Sequence, residues 1–192
     1  FLKKVRHAIP QWSFNDAFSE EEIRAFDKRV RKLSGKKSSY DLELKIDGLK
    51  IVFTYKKGKL AQAATRGDGV TGEDVTHNVR TIREVPEHLI RPIDIIAEGE
   101  VYLTRSGFKE LNALQKRHGE PEFANPRNAA AGSIRLLDPK ITALRQLSFV
   151  VYEVVTDLGQ KFHHEEHEMA KSLGFPVLSA NKLCATTDAA QK

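Results

Sequence analysis

The sequence predicts an α+β fold in which antiparallel strands are interrupted by inserted helices. The first observation is a series of short strand-like segments in residues 41–65 that are joined by tight turns, a pattern typical of an antiparallel meander. The second is a set of helical segments that break into the strands without the regular alternation of a doubly wound parallel sheet.

Composition sets the broad class of the protein. The chain has 192 residues, of which 40% are hydrophobic and 30% charged, enough for one substantial core and a small appendage. Its net charge of +5 fits a polyanionic partner such as nucleic acid. A single cysteine, Cys184, excludes an internal disulfide and favours a reducing compartment. The sequence contains neither an apolar run of membrane-spanning length nor a signal-peptide pattern, so no membrane partner is expected.

The N-terminal part is expected to be one helix that leads into a core. Ser19 and Glu22 form a capping box, and the helix behind them ends just before Gly35. We therefore divide the chain into residues 1–34, an N-terminal segment with its helix, and residues 35–192, the core.

Residues 41–47 alternate between apolar and charged side chains and predict a strand with one face on a core. The charged face carries Lys45 among three carboxylates: Asp41, Glu43 and Asp47. Two interpretations stay open, a solvated strand face and a nucleophilic lysine. An ε-amine with a reference pKa of about 10.4 is inert while protonated, so a nucleophile here needs a nearby cation or a phosphate to attack.

The remaining elements follow from turn signals and from apolar periodicity. Strands are predicted at residues 49–55, 60–65, 94–103, 147–155 and 175–178. Helices are predicted at residues 73–82, 106–117 and 163–173, and one that opens at Asn125. Within residues 94–103, alternation places Glu98, Glu100 and Tyr102 on one strand face.

A glycine pattern in the loop of residues 66–72 matches a dinucleotide-binding fingerprint. The three glycines, Gly67, Gly69 and Gly72, have the spacing G-x-G-x-x-G. The preceding strand leaves a tight hairpin rather than a parallel βαβ unit, and Asp68 puts a carboxylate where a pyrophosphate would lie. We therefore expect these glycines to serve a tight loop.

A histidine-rich segment at residues 163–167 resembles a metal motif. His163 and His167 are four residues apart, but His164 stands where a zinc protease needs its glutamate. A solvated helix face is the better interpretation, and no metal ligand is predicted.

Four segments together resemble the adenylation domain of the NAD-dependent DNA ligases of bacteria. Lys45-Ile46-Asp47-Gly48 has the K-x-D-G form of covalent nucleotidyltransferases, and residues 98–102 resemble their third motif. Residues 64–82 and 123–135 resemble the NAD-dependent branch specifically. The resemblance covers nearly the whole chain and implies the nucleotidyltransferase fold, related to the ATP-grasp fold. That fold would be truncated at both ends, since the chain starts at Phe1 and stops inside a helix-like segment.

The resemblance implies that Lys45 attacks the α-phosphate of NAD, forms lysyl-AMP and releases nicotinamide mononucleotide, with Mg²⁺ as cofactor. AMP would later pass to the 5′-phosphate of nicked double-stranded DNA, in replication and repair. The implied catalytic residues are Lys45, Asp47 and Arg66. The implied nucleotide-binding residues are Ser13, Phe14, Glu43, Gly48, Arg66 and Glu100, where Phe14 replaces the leucine of the family's Ser-Leu pair. The implied contacts to DNA or phosphate are Arg127 and Arg135.

The same resemblance implies a monomer in the bacterial cytoplasm, associated with the nucleoid. Two alternatives stay open. One is an ATP- or GTP-using ligase or capping-type nucleotidyltransferase, which the loop after Arg66 speaks against. The other is a noncatalytic fragment that binds nucleic acid through its basic charge. Separately, Arg127 and Arg135 each have the alternative interpretation of a solvated surface charge.

Overall fold

The computed structural model describes residues 1–13 and 15–191, which fall into two compact units. The first unit comprises Phe1–Gln11 and Lys45–Val177, and the second comprises Trp12–Leu44 and Leu178–Lys192. The predicted division of the chain into an N-terminal segment, residues 1–34, and a core, residues 35–192, stays a prediction.

Short strands and helices are interspersed along the chain without a regular alternation. In chain order they are β1 (Lys4–Arg6), α1 (Glu20–Ser34), β2 (Tyr40–Leu42), β3 (Leu49–Lys56), β4 (Lys59–Thr65), β5 (Thr71–Glu73), α2 (Thr76–Val79), β6 (Ile95–Tyr102), α3 (Arg105–Arg117), α4 (Pro126–Ile134), α5 (Pro139–Ala143), β7 (Ser148–Val154), α6 (His163–Ser172), β8 (Lys182–Cys184) and α7 (Thr187–Ala190).

A four-stranded antiparallel sheet with the order β4-β3-β6-β7 forms the centre of the first unit. The turn between β3 and β4 uses Lys57 and Gly58, which have φ angles of 49° and 75°. Two residues with positive φ match the right-handed twist of a hairpin, and glycine adopts this conformation without strain. The mixture of an antiparallel sheet with separate helices confirms the predicted α+β class.

The two faces of this sheet differ in chemistry. One face packs on the core, where Phe53 and Tyr55 of β3 are fully buried and contact the rings of Phe149 and Phe175. Small side chains of α4 are fully buried in the same core, including Ala129 and Ala130. The buried Tyr55 hydroxyl donates to the carbonyl of Pro86 at 2.6 Å, which satisfies its polar end. The opposite face therefore remains for polar side chains.

The second unit contains α1, α7 and the pair β2–β8. The start and end of α1 are as predicted. The hydroxyl of Ser19 accepts from the Glu22 amide at 3.2 Å, and Gly35 ends the helix with a φ of 68°. An ion pair of 2.9 Å between Arg24 and Asp188 joins α1 to α7.

The strand predicted for residues 41–47 is wrong beyond Leu42. A strand persists only while a neighbour pairs with its backbone groups, and the partner β8 is three residues long. The predicted apolar face is not a core face either, because Leu42 and Leu44 are 41% and 58% exposed. Lys45 and Asp47 consequently lie in an irregular, exposed segment.

Three further predictions need correction. The helix predicted for residues 73–82 is the single turn α2, because residues just before it form β5 and pair with β1. The strand predicted for residues 175–178 is one bridge between Val151 and Val177. The face of α6 is only partly solvated, since His167 is buried and its Nε2 bonds to the Tyr152 carbonyl at 3.1 Å.

The other predicted helices and strands are confirmed, with boundaries that differ by a few residues. Among the helices of residues 1–13 and 15–191, none combines the length and the apolar character that crossing a bilayer would require.

Candidate active site

The polar face of the central sheet carries the first elements of the site. Glu98, Glu100 and Tyr102 alternate along β6 and share this face, as predicted. The antiparallel register places Lys50 of β3 opposite Glu100. Acidic and basic side chains therefore lie together on the sheet face that does not pack on the core.

A glycine fixes the Lys45 segment against this face. The amide of Gly48 donates to Oε1 of Glu100 at 3.1 Å. A Cβ at Gly48 would lie 2.2 Å from the Val101 carbonyl oxygen, so the close approach to β6 requires glycine. Lys45 precedes Gly48 by three residues and is thereby held near Glu100.

The charges around Glu100 act on it in opposite directions. Burial raises the pKa of the Glu100 carboxyl, whereas the Gly48 amide and the positive charges of Lys45 and Arg127 lower it. The carboxylate of Asp47 adds a smaller upward contribution to this pKa. These interactions show that the structure brings five residues together: Lys45, Asp47, Gly48, Glu100 and Arg127. The sequence analysis selected all five, but it assigned Arg127 to contacts with DNA or phosphate.

The first turn of α4 supplies the arginine of this group. Asn125 caps the helix, since its Oδ1 accepts from the Asn128 amide at 2.8 Å, and Pro126 occupies the first helical position. Arg127 follows and places Nη1 3.5 Å from Oδ1 of Asp47. Both side chains are largely exposed, at 61% and 69%, so this ion pair leaves the guanidinium accessible to an anion.

Arg66 lies where β4 ends and the glycine-containing loop begins. Its amide donates to the Lys50 carbonyl at 3.3 Å, which ties it to β3, and its own carbonyl accepts from the Gly69 amide at 3.1 Å. The loop is closed by Asp68, whose Oδ1 accepts hydrogen bonds from the amides of Val70 and Thr71 at 2.9 and 2.7 Å. These two backbone hydrogen bonds lower the pKa of the Asp68 carboxyl.

Arg135 lies apart from Arg127 and lines a charged groove. It caps the other end of α4, about 12 Å further along the helix axis at 1.5 Å per residue. Its Nε is 3.0 Å from Oε2 of Glu73, and Nζ of Lys4 is 3.6 Å from the other oxygen of the same carboxylate. The groove is completed by three residues of the adjoining loop and strand: Gly67, Asp68 and Thr71.

Three predicted nucleotide contacts lie in the second unit or outside the described residues. Ser13 and Glu43 lie in the second unit, where Ser13 lines an exposed groove beside the apolar face of α1. Phe14 lies outside the described residues. The roles of these three residues stay predictions.

A cluster on the same face was not foreseen. Lys50 forms an ion pair with Glu98, and both side chains are largely buried. Glu153 hydrogen-bonds to Glu98, and burial together with the Glu98 charge raises the pKa of Glu153 to about 7. Alternation along β6 places Glu98 here, but Glu153 follows a β-bulge at Tyr152, and a bulge reverses the expected face without a sequence signal.

The side chains of Lys45, Glu100 and Arg127 provide the groups needed for attack at phosphorus. An exposed amine lies beside a half-buried carboxylate, and a guanidinium nearby can hold phosphate oxygens. Reaction at phosphorus depends mostly on positioning and on neutralising charge.

Comparison with known proteins found a matching family model and several similar curated proteins. All of residues 1–192 match the model of the NAD-dependent DNA ligase adenylation domain. The chain is 48% identical to a DNA ligase of Oenococcus oeni over 184 residues, 95% of this chain and 27% of that protein. It is 46% identical to a DNA ligase of Shouchella clausii over 189 residues, 97% of this chain and 28% of that protein. The chain therefore spans little more than a quarter of the length of these relatives.

Proposed function

Because the chain belongs to the family of NAD-dependent DNA ligase adenylation domains, we propose that it performs the self-adenylation step of a bacterial DNA ligase. The chain would perform this step with the nucleotidyltransferase fold, and residues 35–192 would form the core of that fold. The observation that carries the proposal is the placement of Lys45 beside Glu100. The segment that carries Lys45 ends at Gly48, which packs directly on β6.

The nucleophile in this proposal is Nζ of Lys45. The neutral amine attacks the α-phosphorus of NAD, a nitrogen–phosphorus bond forms, and the bond to the oxygen of nicotinamide mononucleotide breaks. The leaving group departs with the electron pair, and the attacking nitrogen loses a proton. Asp47, an exposed carboxylate two residues from Lys45, is the group that we assign to orient the amine and to accept that proton.

Two arginines bind the phosphates in the proposal. Arg127 is accessible beside Asp47, and Arg66 is held to β3 through the Lys50 carbonyl. Two guanidinium groups can share the negative charge of a pyrophosphate and of the transition state. Glu100 accepts a hydrogen bond from a ribose hydroxyl, and the Gly48 amide keeps that carboxylate in place. Ser13, Phe14 and Glu43 complete the nucleotide contacts by the family resemblance alone.

Magnesium is part of the proposal by the family resemblance alone. In phosphoryl-transfer sites Mg²⁺ is bound by substrate phosphates together with one or two carboxylates. When bound, the ion would supply positive charge to the phosphate oxygens.

Nicked double-stranded DNA is the proposed final acceptor of AMP. Arg127 and Arg135 stand at the two ends of α4 and are both exposed enough to reach a phosphate backbone. Sealing of the nick would belong to a whole ligase, since the chain spans little more than a quarter of the length of the relatives that it matches.

Intact mass of the full-length ligase tests the proposal directly. The protein is incubated with Mg²⁺ and either NAD or ATP, and its mass is read before and after. We expect an AMP adduct with NAD, no adduct with ATP, and none with NAD in the Lys45→Ala variant. An adduct with ATP alone would support the nucleoside-triphosphate alternative. Salt-dependent DNA binding without any adduct would support a noncatalytic fragment.

A further inference from the structure

The N-terminal segment of residues 4–11 binds along the loop that carries Arg66. Strand β1 pairs with β5, directly after this loop. The His7 amide then donates to the Val70 carbonyl at 2.9 Å, and the Gln11 amide to the Gly69 carbonyl at 2.8 Å. The loop is therefore hydrogen-bonded along its outer side by residues that lie about 60 positions earlier in the chain.

The side chain of His7 reaches the main chain of Arg66 itself. Nε2 of His7 lies 3.1 Å from the Arg66 carbonyl oxygen. A carbonyl oxygen only accepts, so this ring nitrogen carries the proton and donates it. A Cβ on Gly72 would lie 3.0 Å from the same nitrogen, so the ring occupies the space that the glycine leaves. The half-buried imidazole thus fits closely between Arg66 and Gly72.

Three hydrogen bonds converge on the peptide groups of Arg66. Its amide donates to Lys50 of β3, its carbonyl accepts from the Gly69 amide, and the same carbonyl accepts from His7. Both lone pairs of this oxygen are then used. The first bond ties Arg66 to the sheet, the second closes the loop, and the third comes from a side chain of the N-terminal segment.

The guanidinium of Arg66 depends on the same loop. Its Nη2 lies 4.0 Å from the position that a Cβ on Gly69 would take, so the side chain folds back over this glycine. The Gln11 carbonyl lies 3.0 Å from that position and covers the glycine from the N-terminal segment. A shift of the loop would therefore move the guanidinium as well as the main chain.

We propose that His7 is a positioning residue for Arg66. Its imidazole N–H holds the Arg66 carbonyl, and this fixes where the guanidinium meets the phosphates of the nucleotide. The inference rests on the proposed function, in which Arg66 binds those phosphates. Displacement of a phosphate-binding group by about 1 Å can lower a rate by roughly 10²-fold, so a single hydrogen bond to its backbone has a measurable effect.

The test compares variants of the full-length ligase in single-turnover reactions with saturating NAD. Gln places an amide N–H where the imidazole had one, whereas Ala removes the donor. We expect His7→Ala to slow formation of the AMP adduct about tenfold, as loss of one hydrogen bond implies, and His7→Gln to restore most of the rate. Arg6→Ala, an exposed neighbour in β1, serves as the matched control and should react like the wild type.

A double-mutant cycle separates positioning from general stability. If His7 acts through Arg66, His7→Ala does not lower the rate of adduct formation further in an Arg66→Ala background. The slow reactions of the Arg66→Ala proteins are followed over hours. An equal tenfold loss in both backgrounds, or an unchanged rate in His7→Ala, overturns the inference. If His7→Ala does not fold, His7→Met, which lacks the donor, is compared with His7→Gln in the same way.

Failure of the proposed function would look different. In that case the wild-type ligase itself gains no AMP from NAD, and none of the His7 variants has a rate to compare. A wild type that reacts, together with a Lys45→Ala variant that does not, leaves the His7 comparison as an independent result.

Discussion

The carboxylate of Glu100 accepts a hydrogen bond from the amide of Gly48 across 3.1 Å. This contact joins the middle of β6 to the segment that carries Lys45, at a point where a Cβ would overlap the Val101 carbonyl. The lysine is therefore not presented by a strand, as its alternating sequence suggests. It is presented by an irregular segment whose end is fixed against the polar face of the sheet.

Glu100→Ala should weaken the binding of adenosine and AMP. The variant loses an acceptor that we assign to a ribose hydroxyl, and a hydrogen bond to a charged group contributes about 1.5–3 kcal/mol. Glu100→Gln retains Oε1 as the acceptor for the Gly48 amide and should lose less. Titration calorimetry measures both affinities, with Glu110→Ala, an exposed residue of α3, as control. Equal affinities of Glu100→Ala and the wild type would place Glu100 outside the site.

Lys45→Ala should abolish the AMP adduct and leave the fold intact. Lys45 is exposed and lies outside regular structure, so its removal should change the free energy of unfolding by no more than about 0.5 kcal/mol. Intact mass after exposure to NAD measures the adduct, and thermal unfolding measures stability. Lys109→Ala on the exposed face of α3 is the control and should keep the adduct. An adduct on the Lys45→Ala protein would show that another group is the nucleophile.

Arg127→Ala should weaken DNA binding with little effect on stability. The Arg127–Asp47 pair is 3.5 Å long and mostly exposed, and such pairs contribute about 0–1 kcal/mol. If Arg127 contacts a phosphate, binding of a nicked duplex by the full-length ligase should lose about one unit of its logarithmic salt slope. The exposed Arg117→Ala at the end of α3 is the comparison. Identical salt slopes for the two variants would count against the phosphate contact.

The fold could be predicted where the signals are local. Ser19 and Asn125 cap helices as their sequence contexts indicate, and Gly35 ends α1 in the left-handed region. The elements that escaped prediction depend on partners far away in the chain. Strand β1 exists because β5 pairs with it, and β2 stops because β8 is short. No window of neighbouring residues contains that information.

The sequence selects candidate residues for the site but does not give their geometry. Family motifs select Lys45, Glu100 and Arg66. The contact of His7 with the Arg66 carbonyl joins residues 59 positions apart and has no local sequence signal. The Lys50–Glu98 pair is diagonal in the register of β3 and β6, where Lys50 lies opposite Glu100, so alternation alone places these side chains only on one face. Glu153 joins that pair only because the bulge at Tyr152 shifts the register of β7.

The buried cluster around Glu153 makes stability depend on pH. The charged groups around Glu153 are Glu98 of the adjacent strand β6, Lys50 of β3 and Glu166 of α6. Burial is the largest cause that raises the pKa of Glu153 to about 7. The ordinary value for a glutamate is 4.5. Between these two values the folded chain binds more protons than the unfolded chain. The contribution of this group is therefore fully present below about pH 4.5 and is lost as the pH rises through about 7.

Glu153→Gln should remove that loss. The amide stays neutral, keeps a donor for Glu98 and leaves the Glu98–Lys50 ion pair in place. At pH 8 we expect the variant to be more stable than the wild type by roughly 1 kcal/mol, or about 2–4 °C in Tm, and at pH 5 the two should unfold together. Thermal unfolding at several pH values measures this, with the exposed Glu168→Gln of α6 as control. A variant that is less stable than the wild type at pH 8 would mean that the ionised Glu153 carboxylate is stabilised by Lys50 rather than opposed by Glu98.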